Sequence, residues 1–515
     1  MIVTDLILSV LSGILLVLAF PHFNVEILSW VALVPWLWAI RKKSPSRASL
    51  LGFVTGLVFF TGLLYWIYNV LTEYGHLPAV VSIIFLIVLA AYLALYFSIF
   101  SFVLRWAAEK TDLSEIFFAP PLWVSLEYVR SFLFSGFPWE LLGYSQFLTL
   151  PLVQIADTTG VYGISFLIVL INVALFRLAA GAAEREWKSA LQEVLAGVMV
   201  LALTGIYGHY RLMALDQKAK EEKPFRVALI QGNIRQDVKW DPQYQEETVK
   251  IYSDLTRNLR PSRPELIIWP ETATPFFFQN AYPFQPRILD LARQVGSPLL
   301  FGSPAFDRDG RRIHYYNSAF LVSPEKKILG RYDKIHLVPF GEYAPLSGFL
   351  GFTRDIIGAI GDFTAGKGVH TLPLPQADCG VLICYEVIFP DLTRQFVAEG
   401  ARFLVNITND AWFGRTAAPY QHLSMATLRA VENRVPIVRA ANTGISALID
   451  SSGRITSSTD LFTREVLSGI IYLGKARTFY AEYGDVFSYA CLGFSGLFLI
   501  FILFKRGYRG ERRSR

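Results

Sequence analysis

The chain has 515 residues, 53% of them hydrophobic and 15% aromatic, with a mean hydropathy of +0.38 and a formal net charge of +6. Long uncharged runs at this composition exclude an ordinary soluble domain and a disordered chain, and they point to an integral membrane protein. The basic excess then reads as lysine and arginine flanking membrane spans rather than as a nucleic-acid surface, and the three cysteines, Cys379, Cys384 and Cys491, form neither a disulfide framework nor a zinc spacing.

The first apolar run, at 6–20, breaks at Pro21-His22. No basic stretch precedes it and no small-x-small site follows, so it reads as a first membrane helix rather than a cleaved signal. Further runs fall at about 25–40, 49–70, 79–104, 115–132, 163–180, 190–209 and 486–505, which makes about eight spans. Arg41, Lys42, Lys43 and Arg47 follow the second span, Arg105 and Lys110 the fourth, Arg177, Arg185 and Lys188 the sixth, and six arginines and lysines the last. If the spans alternate, all of these lie on one side, which the positive-inside rule makes cytoplasmic. Both termini are then cytoplasmic and the large segment before the last span lies outside the cytoplasm. Three parts are expected: a transmembrane domain over 1–210, an extracytoplasmic domain over 211–480, and a last span with a basic tail over 481–515. The connection Ser135-Gly136-Phe137-Pro138-Trp139-Glu140 reads as an interfacial aromatic belt, or as the mouth of a lipid-accessible cleft.

From about 211 charges become frequent and apolar runs short. Runs at 227–231, 266–269, 299–302, 319–322, 381–384, 403–407 and 437–440 read as strands. Helical spacing predicts helices over 243–259, 284–295, 391–399 and 421–434. Their alternation predicts a layered α/β domain. Three strand ends carry chemistry. Glu271 follows the buried run ending in Trp269-Pro270, Lys334 stands in the polar stretch Arg331–Leu337, and Cys384 closes Val381-Leu382-Ile383 just before a helix start at Pro390-Asp391. A carboxylate, an ammonium and a thiol supply a base, a cation and a nucleophile. Each also has a plain alternative: Glu271 as a helix cap, Lys334 as a surface lysine, Cys384 as core. Spacing alone does not pair the three.

Trp269-Pro270-Glu271, Asp333-Lys334 and Ile383-Cys384-Tyr385-Glu386 resemble the three signature segments of the nitrilase (carbon–nitrogen hydrolase) superfamily, and Arg429-Ala430-Val431-Glu432-Asn433-Arg434 resembles its helix motif. Together with the spans, Gln231-Gly232-Asn233-Ile234, the stretch from His336 to Tyr343, Thr408-Asn409-Asp410-Ala411-Trp412-Phe413-Gly414 and Gly136-Phe137-Pro138-Trp139, the whole chain resembles the bacterial apolipoprotein N-acyltransferase family. The resemblance implies an αββα sandwich on the membrane, with Glu271 as general base, Lys334 as oxyanion-stabilising cation and Cys384 as acyl-accepting nucleophile. It implies a second glutamate, Glu342, near the thiol, and Tyr385 and Glu386 shaping the pocket. Trp240 and Trp412 match tryptophans tied to substrate handling, with core packing as the alternative.

The reaction so implied moves a fatty acyl chain from a phospholipid, through a Cys384 thioester, to the α-amine of an S-diacylglyceryl cysteine at a lipoprotein N-terminus, in the inner membrane. The alternatives are a membrane-tethered amidase of the same superfamily, whose acyl-enzyme goes to water, and a non-catalytic binding scaffold. No cofactor, metal or nucleic-acid partner is expected, since no HExxH and no glycine-rich phosphate loop occurs. A monomer is expected. Two apolar stretches, Pro275-Phe276-Phe277-Phe278 and 346–360, are expected to dip into the outer leaflet as arms that admit acyl chains, or else to pack on the sandwich.

Overall fold

The computed structural model describes residues 2–184, 187–339, 341–343, 363–474 and 477–512. The expected arm at 346–360 lies outside them. The chain divides into two compact units. One holds Met1–Thr72, Leu77–Met213 and Tyr483–Arg515; the other holds Glu73–His76 and Ala214–Glu482.

The first unit is helical. Its main helices are α1 (Ile2–Ala19), α2 (Val34–Ile40), α3 (Pro45–Leu63), α4 (Ala79–Lys110), α5 (Glu115–Arg130), α6 (Val161–Glu184), α7 (Trp187–Ala219) and the C-terminal helix Val486–Arg512. Among the described residues, five helices are long and apolar enough to cross a membrane: Pro45–Leu63, Ala79–Lys110, Val161–Ala183, Trp187–Ala219 and Val486–Lys505. The other three expected spans are shorter. The 25–40 run is not one helix. It divides into a 3-10 segment, Glu26–Trp30, and the 7-residue α2, which carries Pro35 in its first turn, a residue tolerated at a helix start but not in its interior. The 16-residue α5 carries Pro120 and Pro121 within it. In the stretch expected as an interfacial aromatic belt or a cleft mouth, Ser135 is exposed and Phe137 half-buried, while Trp139 and Glu140 are buried, with the Trp139 ring 4.9 Å from that of Trp66.

The second unit is a four-layer α/β structure. In chain order its strands are β1 (Pro224–Gln231), β2 (Leu266–Ile268), β3 (Leu299–Asp309), β4 (Arg312–Val322), β5 (Ile328–Asp333), β6 (Cys379–Ile383), β7 (Phe403–Thr408), β8 (Ile437–Ala441), β9 (Ala447–Ile449), β10 (Ile455–Ser458) and β11 (Glu465–Tyr472). They form a six-stranded sheet in the order β11-β1-β2-β3-β4-β5 and a five-stranded sheet in the order β10-β9-β8-β7-β6. The strands β1, β2 and β3 run parallel, as do β6, β7 and β8, and the remaining pairings are antiparallel. The sheets face each other, with β1 against β8 and β4 against β6.

Four helices cover the outer faces: α8 (Gln245–Arg257), α9 (Phe284–Val295), α10 (Pro390–Ala398) and α11 (Ala418–Asn433). α8 and α9 pack on the first sheet through Tyr252, Ile288, Leu291 and Val295, while α10 and α11 lie against the second sheet. This is the expected αββα sandwich. Every residue of β6, β7 and β8 is buried, as a strand covered on both faces requires.

Pro275-Phe276-Phe277-Phe278 is not an arm. Phe278 is fully buried against Phe301 and Phe320, Phe276 is half-buried and stacks on Phe284 at 4.8 Å, and Phe277 is exposed, beside Phe306 and Tyr315. The ring cluster at the centre of this core is Phe301 with Trp269, Phe278 and Phe320. Phe301→Ala is expected to destabilise the α/β unit by ~3–5 kcal/mol, the usual cost of an aromatic-to-alanine cavity. Thermal unfolding of the purified full-length protein in detergent checks this.

Candidate active site

Parallel strands deliver their carboxyl ends to one edge, and there the sandwich gathers its polar side chains. The β2 strand ends at Ile268, and the buried Trp269 then anchors the turn, its ring stacked on Tyr252 at 5.0 Å and its Nε1–H donating to Thr256 Oγ1 at 3.0 Å. Two residues on, the Glu271 side chain is 9% exposed. Its Oε1 accepts from Asn317 Nδ2 at 2.7 Å and its Oε2 from the Asn409 backbone N–H at 2.9 Å. Glu271 is neither exposed nor a helix cap.

Gly302 on β3 is why this turn sits so close to the sheet. A Cβ there would lie 2.7 Å from Glu271 Cα and 2.8 Å from Pro270 O, and the Gly302 N–H donates to that same carbonyl at 3.1 Å.

Lys334 follows β5 and is 1% exposed, not a surface lysine. Its Nζ lies 2.8 Å from Glu342 Oε2 and 4.0 Å from Glu271 Oε1. Burial works against its charge, but Glu342, Glu271 and Cys384 outweigh it and hold the ammonium above the usual lysine range. Asn317, on β4, donates to both carboxylates, reaching Glu342 Oε1 at 2.7 Å as well, and its carbonyl accepts the Lys334 N–H at 2.8 Å. Glu342 also accepts from the Val338 N–H at 2.8 Å. One ammonium and one amide thus hold two carboxylates in fixed positions.

Cys384 follows β6 at a strand-to-turn junction, with φ +54°, in the left-handed region that non-glycine residues seldom occupy. The expected strand ends one residue earlier, at Ile383, and a one-turn 3-10 helix, Cys384–Ile388, precedes α10. The left-handed turn lifts the thiol off the sheet edge, and the residue is partly exposed, whereas Cys379 is fully buried in β6 and burial pushes its thiol up to about 12. Burial and the Glu271 carboxylate also push the Cys384 thiol up, with Lys334 pulling the other way. At neutral pH the resting group is therefore a thiol, and its proton must leave as it reacts.

Two buried networks hold this turn. Glu386 is fully buried. Its two oxygens accept from the Ile383, Ile335 and His336 N–H groups at 2.7, 2.7 and 3.1 Å and from the Tyr332 hydroxyl at 2.9 Å. The resemblance implies that it shapes the pocket; these bonds also tie the cysteine turn to the segment after Lys334. Burial raises its carboxyl to about 7, against Lys334 and the backbone donors. Below the turn, His422 Nε2 lies 3.2 Å from the Cys384 carbonyl, and its Nδ1 lies 3.0 Å from Arg439 Nη2 and 3.1 Å from Asp410 Oδ1. Arg439 Nη2 donates to Asp410 Oδ2 at 2.6 Å. Burial and Arg439 push His422 down, so the neutral ring with its proton on Nε2 can donate to the Cys384 carbonyl and accept from Arg439.

Of the remaining expected residues, Tyr385 is half-buried, with its ring 5.2 Å from Phe389. Trp240 is half-buried, and Trp412 is partly exposed with its ring edge-on to Tyr74 at 5.1 Å, so neither is a core tryptophan. Sequence reasoning missed Asn317, Asn409, His422 and Arg439. Arg439 left a signal, a lone charge at the centre of the otherwise apolar strand Ile437-Val438-Arg439-Ala440-Ala441. Among the described residues no group of three or more histidine, cysteine or acidic side chains is placed to hold a metal ion.

A base beside a thiol, with a buried cation next to the base, on an αββα sandwich defines the class. The model for carbon–nitrogen hydrolases matches residues 226–480, and that for the apolipoprotein N-acyltransferase N-terminal domain matches 12–174. The chain belongs to the apolipoprotein N-acyltransferase family. It is 51% identical to the apolipoprotein N-acyltransferase of Geobacter metallireducens over 95% of this chain and 93% of the relative. It is 37% identical to that of Methylococcus capsulatus over 93% and 92%, and 32% identical to that of Pasteurella multocida over 99% and 96%. An amidase from Nesterenkonia sp. AN1 is similar in structure, with a TM-score of 0.38 at 19% identity, over 50% of this chain and 96% of that one. Membership favours the acyltransferase over the amidase alternative.

Gly302→Ala tests the close approach at Glu271. It is expected to cost about 1–3 kcal/mol from overpacking. Turnover is expected to fall at least about tenfold, because a displaced base is poorly aimed. Thermal unfolding and acyl-transfer rates on the same preparation check both.

Proposed function

We propose that the protein transfers a fatty acyl chain from a phospholipid to the α-amine of the S-diacylglyceryl cysteine at a lipoprotein N-terminus, in two half-reactions through a thioester on Cys384. In the first, Glu271 takes the Cys384 proton as sulfur attacks the ester carbonyl. The tetrahedral oxyanion forms within the field of Lys334, and collapse breaks the ester C–O bond. Glu271 returns the proton to the leaving alkoxide, so that a lysophospholipid departs. In the second, the neutral amine attacks the thioester and Glu271 accepts its proton. The C–S bond breaks, the thiolate regains that proton, and the triacylated lipoprotein leaves. Glu342 keeps Lys334 charged throughout, since a buried ammonium without a close carboxylate loses its proton readily.

The observation that carries the proposal is the buried cluster at the sheet edge: the Glu271 carboxylate is fixed by Asn317 at 2.7 Å and the Asn409 N–H at 2.9 Å, with the Lys334 ammonium 4.0 Å away. A fixed carboxylate and a buried cation suit a base-assisted attack by the Cys384 thiol. The basic residues at the connections after spans two, four and six and in the tail support a cytoplasmic location for both termini, with the α/β unit on the periplasmic side of the inner membrane, where acceptor and donor both lie.

Intact-mass spectrometry of wild type and Cys384→Ala after incubation with phospholipid and no acceptor tests this. An acyl-sized gain on wild type alone, cleared by a diacylated lipopeptide, is the expected result. A gain cleared by water and not by the lipopeptide would overturn the transferase in favour of the amidase. Glu271→Gln is expected to slow acyl-enzyme formation by about 10²–10⁴-fold while Cys384 remains present by peptide mapping.

A further inference from the structure

One loop carries both a support for the base and an exposed aromatic ring. The stretch from Asn409 to Phe413 follows β7 and turns as a 3-10 segment, Asp410–Phe413. Its first half is anchored. The Asn409 N–H donates to Glu271 Oε2 at 2.9 Å, and the Asn409 side chain donates to Gln236 Oε1 at 2.7 Å and accepts from Asn442 Nδ2 at 3.0 Å. Asp410 is fixed by Thr408, His422 and Arg439. The second half lies past those anchors. Trp412 is 37% exposed, and three residues of chain keep its Cα within about 11 Å of the Asn409 N–H. A large indole thus stands in the open close to the base.

What steadies that ring comes from far away in the chain. The Leu77 N–H donates to the Leu71 carbonyl at 3.0 Å and closes a small loop, with Tyr74 near its tip at the end of a π-helical turn, Val70–Tyr74. Such turns are rare and recur at functional sites. Residues Glu73–His76 belong to the α/β unit, although the residues on either side belong to the helical one. The Tyr74 hydroxyl donates to the Ala411 carbonyl at 2.9 Å, and its half-buried ring meets Trp412 edge-on at 5.1 Å. The same carbonyl accepts the Gly414 N–H at 3.2 Å and so closes the loop's own turn, which the Tyr74 hydroxyl fastens from outside. Edge-to-face contact is a favoured geometry for two aromatic rings and fixes the tilt of the indole. Asn409 and Asp410 keep their own partners, so loss of Tyr74 frees Trp412 and leaves the base in place.

We propose that Tyr74 is a positioning residue that braces Trp412 as a rest for the donor phospholipid, and so sets how tightly that lipid is held before Cys384 attacks it. Indole and phenol each join an apolar body to a polar tip, which suits the ester region of a lipid, where acyl chain meets polar glycerol. Tyr74 acts through Trp412 and the Ala411 carbonyl, not through the base. The inference rests on the phospholipid-to-Cys384 transfer proposed above.

The experiment is single-turnover acylation of the full-length protein in detergent, over a range of dipalmitoylphosphatidylethanolamine concentrations with no acceptor, the acyl adduct being read by intact mass. It yields a limiting rate and a half-saturating donor concentration. Tyr74→Ala is expected to raise the half-saturating concentration about two- to tenfold, the effect of losing one aromatic pair, with the limiting rate within about twofold of wild type. Added to Trp412→Ala, the same substitution is expected to change it by less than about twofold, because a residue that acts through another has nothing left to act on. Equal shifts in both backgrounds, or no shift in the wild-type background, would overturn the proposal. A fall in limiting rate at unchanged half-saturation would also overturn it, since Tyr74 would then be steadying the base.

If Tyr74→Ala does not fold, Tyr74→Phe decides. It keeps the ring and loses only the bond to Ala411, and it is expected to raise the half-saturating concentration about two- to fivefold, in keeping with one neutral hydrogen bond. That shift should vanish beside Trp412→Ala; an unchanged value, or the same shift without the indole, overturns the proposal. Wild type that gains no acyl mass at any donor concentration would overturn the thioester reading itself, a failure distinct from either outcome for Tyr74.

Discussion

A charged ammonium inside a sandwich core has to be matched, and much of the site's construction follows from matching Lys334. With Glu342 at 2.8 Å and Glu271 at 4.0 Å, the lysine brings two carboxylates together that would otherwise repel. Removing one partner of such a buried pair typically costs ~3–5 kcal/mol, so the arrangement tolerates little movement. Asn317 makes it rigid by donating to both carboxylates from one amide nitrogen. The strand that carries Asn317 lies between β3, which supports the Glu271 turn, and β5, which leads into Lys334. The antiparallel half of the first sheet therefore acts as a jig for the base and the cation.

The nucleophile is held by different means. Its strained turn at φ +54° persists because it is over-determined from two sides. Glu386 gathers three backbone N–H groups and a tyrosine hydroxyl on one side, and His422, steadied by Asp410 and Arg439, reaches the Cys384 carbonyl on the other. Neither network needs to touch substrate. Their shared effect is to let a cysteine stand in a conformation that glycine adopts more readily.

How much of this was legible in the sequence differs from element to element. The helix 284–295 emerged with the expected bounds, and 391–399 was off by one residue at each end, because both present a clear apolar stripe between turn residues. Strands β6, β7 and β8 were found because each is a short, mainly apolar run, interrupted only by single polar residues such as Asn406 and Arg439. The second half of the first sheet was largely missed. β5 reads Ile-Leu-Gly-Arg-Tyr-Asp, with a glycine and two charges, and β11 alternates on a half-exposed edge. Their strand character comes from pairing with β4 and β1, which no local pattern records. Glu271, Lys334 and Cys384 were named from a resemblance; no spacing links positions so far apart. His422 reads as an ordinary helix residue, and Arg439, though an odd charge in an apolar strand, carries no sign of its partners, because only the tertiary fold turns both beneath the cysteine. The PFFF stretch misled for the converse reason: its phenylalanines are apolar enough for lipid, but the core claims Phe278.

The pairing of β1 with β11 has a consequence for how the molecule is made. Residues 224–231 lie hydrogen-bonded to 465–472 over eight register positions, so the first strand of the α/β unit waits for the last. Until some two hundred and thirty intervening residues have emerged, one edge of β1 presents a row of unpaired N–H and C=O groups, and such open edges invite pairing with foreign strands. Contacts this distant in sequence are also slow to form. Biogenesis thus contains an interval in which the α/β unit is nearly complete yet sticky along one edge. A chain that stopped short of residue 465 would never leave that state.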